Sequence, residues 1–448
     1  MERKMNKTQF LAGVTVTLAC GLSSVGITSA HAAERVKIQF WNAMSGELGK
    51  TVQHVVDEFN ASQTQYEVVS VNKGSYPDTM MSAVAAFRAK NPPDIVQVFD
   101  VGTATMMAAK GAYVPVYELM AKEGIPFSTS QFIGGAASYY SNAQGKLVSM
   151  PFNSSTPVLY YNKDLLAKAG MQPPKTWQEM GEVGQKLKAA GVKCGFTTGW
   201  PDWVQFEQFS LWNGIPYATQ DNGFKSYKNV KLLVNDKPYV QHVADLVQWS
   251  KDGIFKYAGA ASTNATPLFN SGECAMYMDS SASFAAVNAG AKFPFGIAPM
   301  PYDANLKTAP QNTAVGGASL WVMKGVPADH YPGIAKFLDF LGSAKTQSYW
   351  AKKTGYVPVT NAGLGLLKAE GYYEKNPGAM VAIQELTNKP PKPFTMGIRL
   401  GYMPQIRDNI RAELEDALAG KKTPQQAMDA VVSKGDKLLA QFGQTSGQ

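Results

Sequence analysis

The sequence predicts an α/β protein folded as two lobes. The chain has 448 residues, more than the roughly 250–300 over which a single hydrophobic core keeps growing. Its first part alternates strand-like and helix-like segments of the lengths that build βαβ units and a parallel sheet. The same texture returns after Met150. With 45% hydrophobic and 17% charged residues, the composition supports a large core and excludes disorder. The 41 Gly and three Cys exclude collagen-like and disulfide-dense chains.

Taken in order, residues 36–41 (Val-Lys-Ile-Gln-Phe-Trp) alternate strictly and read as a strand. Leu48, Val52, Val55, Val56 and Phe59 then recur on one face of a helix. A second strand is expected over 66–71, a helix over 80–90 and a third strand over 95–99. After Met150, residues 158–161 are strand-like, and 177–190 are helical behind Pro173-Pro174. Near the end, Ile406, Ile410, Leu414 and Leu418 recur every four residues. A break at 420–424 separates them from a last helix through Val431, Val432, Leu438 and Leu439.

The first residues read as a leader. Arg3, Lys4 and Lys7 precede an uncharged, largely apolar run over 10–27 that ends near Ala30-His31-Ala32, the pattern of a secretory signal cleaved after Ala32. An uncleaved anchor is disfavoured by Gly13, Cys20, Gly21, Ser23, Ser24 and Gly26 within the run. A lipid on Cys20 is disfavoured by Thr17, where such a site wants an apolar residue. Losing residues 1–32 lowers the formal charge of +8 by two. The remaining basic residues are scattered, without a block or an aromatic-basic stripe, so nucleic acid is not an expected partner. No later stretch approaches 18 consecutive apolar residues, so the mature chain is expected to be soluble. Export leaves Cys194 and Cys274, both in strand-like runs. They pair as a disulfide or stay as two buried thiols, and the sequence leaves both open.

Catalytic chemistry has little to build on. His54, His242 and His330 lie far apart in ordinary helix or loop sequence, and read as surface or capping residues. There is no His-Glu-x-x-His, Gly-x-Ser-x-Gly or Cys-x-x-Cys. Gly49-Lys50-Thr51 lacks the earlier glycine of a phosphate loop, since Met44 stands there, and reads as a helix start. Gly363-Leu364-Gly365 fails the dinucleotide pattern at Lys368. No metal and no cofactor are expected.

Several stretches then carry a resemblance. Ile38-Gln39-Phe40-Trp41, Pro93-Asp94-Ile95, Tyr161-Asn162-Lys163-Asp164, Ala169-Gly170 and Pro174-Lys175-Thr176-Trp177 resemble the extracellular solute-binding proteins of ABC importers, of the maltose-binding-like class. The resemblance spans about 36–442. The runs 98–107, 151–160, 316–323, 374–378 and 401–407 are similar to the glycerol-phosphate-binding members of that family. This implies a type II periplasmic-binding-protein fold, two α/β lobes joined by crossing hinge segments with a ligand cleft between them. The implied division is a signal peptide at 1–32, lobe one from 33–152 and 297–341, and lobe two from 153–296 and 342–448. Crossings are expected near 152–155, 294–300 and 342–346. The implied protein is a periplasmic, monomeric binder, not an enzyme. It would deliver sn-glycerol 3-phosphate, or a glycerophosphodiester such as glycerophosphocholine, to permease subunits in the inner membrane.

The resemblance also implies a ligand set. Tyr76 serves the glycerol end, and Asp100 stands where the family has Glu, one methylene shorter. Trp177 is the aromatic platform. Ser155, Ser280, Gly317, Tyr356 and Arg407 mostly serve the phosphate. The chemistry suits these types, because a phosphate accepts hydrogen bonds and wants hydroxyl, backbone N–H and guanidinium donors. Micromolar binding of a ligand of about ten heavy atoms needs about −8.2 kcal/mol, within the ceiling of about −1.5 per atom for the best small ligands. Read without the resemblance, Arg407 pairs as readily with Asp408 or Glu413, and Gly316-Gly317 is a plain turn. Ser280 is equally an N-cap and Tyr356 equally a core residue. The competing functions are a binder of neutral sugars, an exported phosphodiesterase or glycosidase using Asp100, and a surface adhesin. A neutral sugar gives no reason for a buried guanidinium. An enzyme would need a paired carboxylate or metal motif, and an adhesin would need repeats or a stalk.

Overall fold

The structure, a computed structural model, describes residues 34–259, 262–390 and 392–446. The expected leader at 1–32 lies outside them. A first sheet is begun by β1 (Val36–Asn42), β2 (Tyr66–Asn72), β3 (Ile95–Phe99), β4 (Tyr113–Val114) and β5 (Met150–Ser155). A second is built by β6 (Pro157–Asn162), β7 (Cys194–Thr198), β8 (Phe255–Lys256), β9 (Cys274–Ser280) and β10 (Phe295–Ala298), after which β11 (Gly316–Met323) returns to the first. The spatial order is β2-β1-β3-β11, with β4 and β5 both on the far edge of β11; the second sheet runs β10-β6-β9-β7-β8. β1 is parallel to β2 and β3, and β7 to β8 and β9, while β11 and β6 run antiparallel to their neighbours.

Local chemistry explains these elements. β3 is buried at every position and β9 at all but its last, as central strands covered on both faces are, so their sequences are mostly apolar, with Gln97 and Asp279 as buried polar members. The helix Gly46–Ser62 turns Val52, Val55, Val56 and Phe59 inward. The next helix begins earlier than its periodicity predicts, at Tyr76, because Ser75 and Asp78 close a capping box. Thr176 caps Trp177–Ala189 through Glu179 N. Arg35–Gln448 forms one compact unit, and each of two large buried clusters draws side chains from both sheets.

Among the described residues the chain changes sheets twice. Only Thr156 separates β5 from β6, so the first crossing is a single residue. The return comes between Ala298 and Gly316; residue 297 lies within β10, which pairs with β6 along its whole length. Ser343 breaks the helix Tyr331–Gly342 from Ala344–Thr354 and caps the second through Thr346 N.

Gly49-Lys50-Thr51 lies in the first turns of a helix, and Gly363-Leu364-Gly365 within Asn361–Ala369. The histidines differ from expectation in one case. His54 is exposed beside Glu58, and His330 meets Asp94 at 2.6 Å. His242 is a core residue: it stacks on Phe209 at 4.1 Å, abuts Trp177 and bonds Gln205, and burial pushes its pKa down to about 3.

Cys194 and Cys274 are joined by a disulfide between register partners on the parallel strands β7 and β9. The link spans 80 residues of sequence, and closing a loop of that length restricts the unfolded chain. Replacing both cysteines by serine is expected to lower stability by about 2–4 kcal/mol in urea unfolding, with the far-ultraviolet circular dichroism of the folded protein unchanged.

Candidate functional site

The site forms where the two sheets meet. β5 ends at Ser155, whose ladder partner is Gly316, while Ser154 faces Gly317. Gly317 has φ 95°, and a Cβ there would fall 1.8 Å from the Asn153 carbonyl oxygen, so no other residue fits this close approach. On the other side, Val357 N donates to Ser154 O at 2.9 Å, which brings Tyr356 alongside. Gly355 sits against the Ser281 carbonyl, where a Cβ would be 2.4 Å away. Ser281 N in turn donates to Thr156 O at 2.8 Å.

Five expected ligand residues thereby converge: Tyr76, Ser155, Ser280, Gly317 and Tyr356. The hydroxyls of Tyr76 and Tyr356 share one hydrogen-bonded group with Asn153, whose Nδ2 donates to Tyr76 Oη at 2.8 Å. Burial pushes both phenols up, so they remain neutral donors. Tyr356 is a core residue too, stacked on Trp350 at 5.8 Å. Ser280 is the N-cap of a short 3-10 turn, its Oγ accepting from Ala282 N at 3.1 Å, which leaves its proton free to be donated. The hydroxyls of Ser154, Thr156 and Ser281 are buried at the same junction without hydrogen-bond partners among the described residues.

Asp100 and Arg407 complete the set from opposite lobes. Asp100 leaves the carboxyl end of β3, and Arg407 lies on the helix Met403–Leu418. Arg407 is 6% exposed. Its Nε and Nη2 donate to Glu207 at 2.6 and 2.8 Å, and Nη2 also reaches Asp100 Oδ2 at 3.2 Å. Asp202 lies 3.2 Å from Nε and 3.0 Å from Arg411. The expected alternatives, Asp408 and Glu413, are used elsewhere, by Arg411 and by Lys422 with Lys434. Arg407 Nη1 has no partner among the described residues. Burial raises the Asp100 and Glu207 carboxyls, Glu207 to about 7, against the pull of Arg407. Burial also opposes the guanidinium charge, but Glu207 and Asp100 hold Arg407 well above its ordinary range. The cation is therefore fixed, while burial favours the neutral form of Glu207 and Asp100.

Trp177 is not brought to this site. Its ring packs against His242, Phe209 and Trp249 inside the second lobe. The aromatic that does border it is Trp203. A Cβ on Gly316 would meet its ring at 2.4 Å, and its indole Nε1 is buried without a partner among the described residues. Trp203 opens a π-helical stretch, Trp203–Gln208, that also supplies Glu207. Trp203, Asp202, Glu207 and Asn153 were missed by sequence reasoning. A signal was available: Trp200, Asp202, Trp203 and Glu207 follow the carboxyl end of the parallel strand β7, where open α/β sheets bind ligands.

This geometry, two α/β lobes meeting over a polar, donor-rich junction, is that of a binding protein. The family model of bacterial extracellular solute-binding proteins matches residues 54–377, and the chain belongs to that family. It is 49% identical over 438 residues to the sn-glycerol-3-phosphate-binding periplasmic protein UgpB of Salmonella typhimurium strain LT2, covering 97% of this chain and 98% of that protein. The protein of the same name from Escherichia coli K12 is 49% identical over 429 residues, 95% of this chain and 96% of that one. Among solved structures, UgpB from Mycobacterium tuberculosis in complex with glycerophosphocholine shares the fold with a TM-score of 0.75 at 21% identity, covering 91% of this chain and 99% of that chain. Maltose-bound MalE3 of T. maritima shares it at 0.73 and 20% identity, covering 90% and 100%.

A further buried acid, Glu385, lies where the crossings meet. Glu385 Oε1 accepts from Met300 N at 2.7 Å, and its carbonyl accepts from Thr313 N at 3.0 Å. Thr156 is its neighbour from the first crossing, short of hydrogen-bond geometry. Burial pushes this carboxyl from 4.5 up to about 8. Because the folded value is the higher one, the folded state holds a proton that the unfolded chain releases. That contribution to stability is complete below pH 4.5 and is lost as pH rises through about 8. Glu207 at about 7 and Asp279 at about 6 act in the same direction. Urea unfolding between pH 5 and 9 is expected to show stability falling with pH, and Glu385→Gln to reduce that slope above pH 6.

Proposed function

We propose that this chain is a periplasmic binding protein that captures sn-glycerol 3-phosphate, or a glycerophosphodiester such as glycerophosphocholine, for an ABC importer. The observation that carries the reading is Arg407: a buried guanidinium at the lobe junction, held by Glu207 through two of its nitrogens, with Nη1 left for a ligand oxygen. Beside it stand neutral donors suited to a phosphate, namely Ser155, Ser280, Tyr356 and the backbone at Gly317. Asp100 and Tyr76 take glycerol hydroxyls, and Trp203 takes the platform role expected of Trp177. The 49% identity to relatives named for sn-glycerol 3-phosphate supports the same ligand.

In this reading residues 1–32 direct export and are removed, and the mature monomer presents its closed lobes to permease subunits of the inner membrane. Thr156 and the segment 299–315 act as the hinge. A charged ligand must enter among Asp100, Asp202 and Glu207, so a proton taken up by Glu207 accompanies phosphate binding.

Calorimetry with sn-glycerol 3-phosphate, glycerophosphocholine and maltose tests this. One-to-one binding of a phosphate ester without maltose binding is expected; maltose binding without either phosphate compound would overturn the ligand assignment. Arg407→Lys keeps a charge among the carboxylates but loses the planar fork, and is expected to weaken phosphate-ester binding by about 2–5 kcal/mol. Asp100→Glu is expected to retain phosphate-ester binding in the same titration; a large loss would remove Asp100 from the glycerol end.

A further inference from the structure

A second buried arginine near the site has no carboxylate partner among the described residues. Arg399 is 9% exposed, and burial lowers its pKa. Its guanidinium lies 4.1 Å from the Phe224 ring centre. All its hydrogen-bonded oxygens are backbone carbonyls: Nη1 donates to Ser141 O at 3.1 Å, and Nη2 to Ser138 O and Tyr139 O at 3.2 and 2.9 Å.

These carbonyls belong to the first lobe. The helix Gly134–Tyr139 ends there, and its exit is tied to the segment entering β5 by the Ser141–Leu147 bridge and the bond from Val148 N to Tyr140 O. Arg399 itself is fastened to the second lobe. Its N–H donates to Asn222 O at 2.9 Å, Gly223 packs against its carbonyl, and Asn222 Nδ2 holds the carbonyls of Phe394 and Gly397. Four residues later begins the helix that carries Arg407, whose Ile406, Ile410 and Leu414 share a buried cluster with Tyr239, Val243 and Phe196. Tyr139 adds a second clasp, its hydroxyl bridging Ile398 O at 2.8 Å and Asp100 O at 3.0 Å.

The geometry points to Arg399, with Tyr139, as an interlobe latch: a positioning residue that sets ligand affinity without touching ligand, by favouring the arrangement in which Arg407 meets Asp100. When the lobes separate, the guanidinium exchanges three charge-assisted bonds for water, and the helix loses the cation at its carboxyl end. A latch of this kind raises the fraction of molecules competent to grip ligand, and apparent affinity follows that fraction. Only the effect on ligand affinity rests on the proposed phosphate-ester function; the effect on lobe separation does not.

Arg399→Lys removes the fork but keeps the charge, and Tyr139→Phe removes only the bridging hydroxyl. Each is expected to weaken sn-glycerol 3-phosphate binding, Arg399→Lys by about tenfold or more, the worth of one charge-assisted hydrogen bond. Solution X-ray scattering is expected to show a wider ligand-free particle for Arg399→Lys, and the same compact particle as the parent once ligand saturates both. Unchanged affinity and unchanged ligand-free scattering in both folded variants would overturn the latch and leave Arg399 a helix cap. If the parent protein binds neither phosphate compound, the ligand assignment fails, and the ligand-free scattering alone decides the latch. Should Arg399→Lys not fold, Tyr139→Phe decides by the same two readings.

Discussion

The site depends on one buried cation. Arg407 reaches out of the second lobe and is met by Glu207 and Asp202 from its own lobe and by Asp100 from the other. Desolvating such groups costs several kcal/mol per ion, and the cost is offset only when every charge has a well-placed partner. The planar guanidinium makes that possible, because it engages Glu207 through two nitrogens, and in the proposed reading a third is kept for ligand. Removing it by an alanine substitution would leave Glu207 and Asp100 without a cation in the interior, with only Asp202 still paired, to Arg411. Loss of binding in that variant would therefore mix loss of contact with loss of structure. This is why a cationic replacement is the informative one.

Under the proposed ligand assignment, the same constraint links binding to proton uptake. Three acids around Arg407 and Arg411 leave the cluster with more negative than positive charge when all are ionised. Burial has already raised Glu207 toward neutrality. A phosphate ester bound as proposed would add negative charge beside it, which raises the Glu207 proton affinity again. In that reading the hydroxyl and phenol donors at the β5–β11 junction share the phosphate charge without adding to the count of ions.

Much of the fold was legible because strands and helices here follow their hydrophobic periods. The strand 95–99 and the start of the helix at 177 match the structure, and Ser280 proves an N-cap as its local sequence suggests. What failed was choosing among aromatics. Trp177 stands in helical register with Met180, Val183 and Leu187, and His242 with Tyr239, Val243 and Leu246, so each is committed to the buried face of its helix. That spacing was readable and outweighs a position after a turn. Trp203 was harder to find. Its stretch is π-helical, and its importance comes from Gly316, more than a hundred residues away, approaching its ring. The partners of Arg407 were hidden for a related reason. Neighbours in sequence, Asp408 and Glu413, looked sufficient, yet helical geometry turns Asp408 toward Arg411 and Glu413 toward two lysines.

Asp100 is a group that the two lobes share and that the proposed reading also gives to the ligand. Its short side chain reaches Arg407 at 3.2 Å, a longer contact than the Glu207 bonds, while its backbone carbonyl is held by Tyr139. An aspartate so placed is tethered firmly through its main chain and only loosely through its carboxylate. In the proposed reading it turns from the guanidinium to a glycerol hydroxyl without moving β3. A glutamate at this position would reach further by one methylene, and in the ligand-free protein it would bind Arg407 more closely. The shorter residue trades reach toward ligand for a weaker cross-cleft ion pair. With that pair weak, the carbonyl cage around Arg399 carries a larger share of the attraction between the lobes.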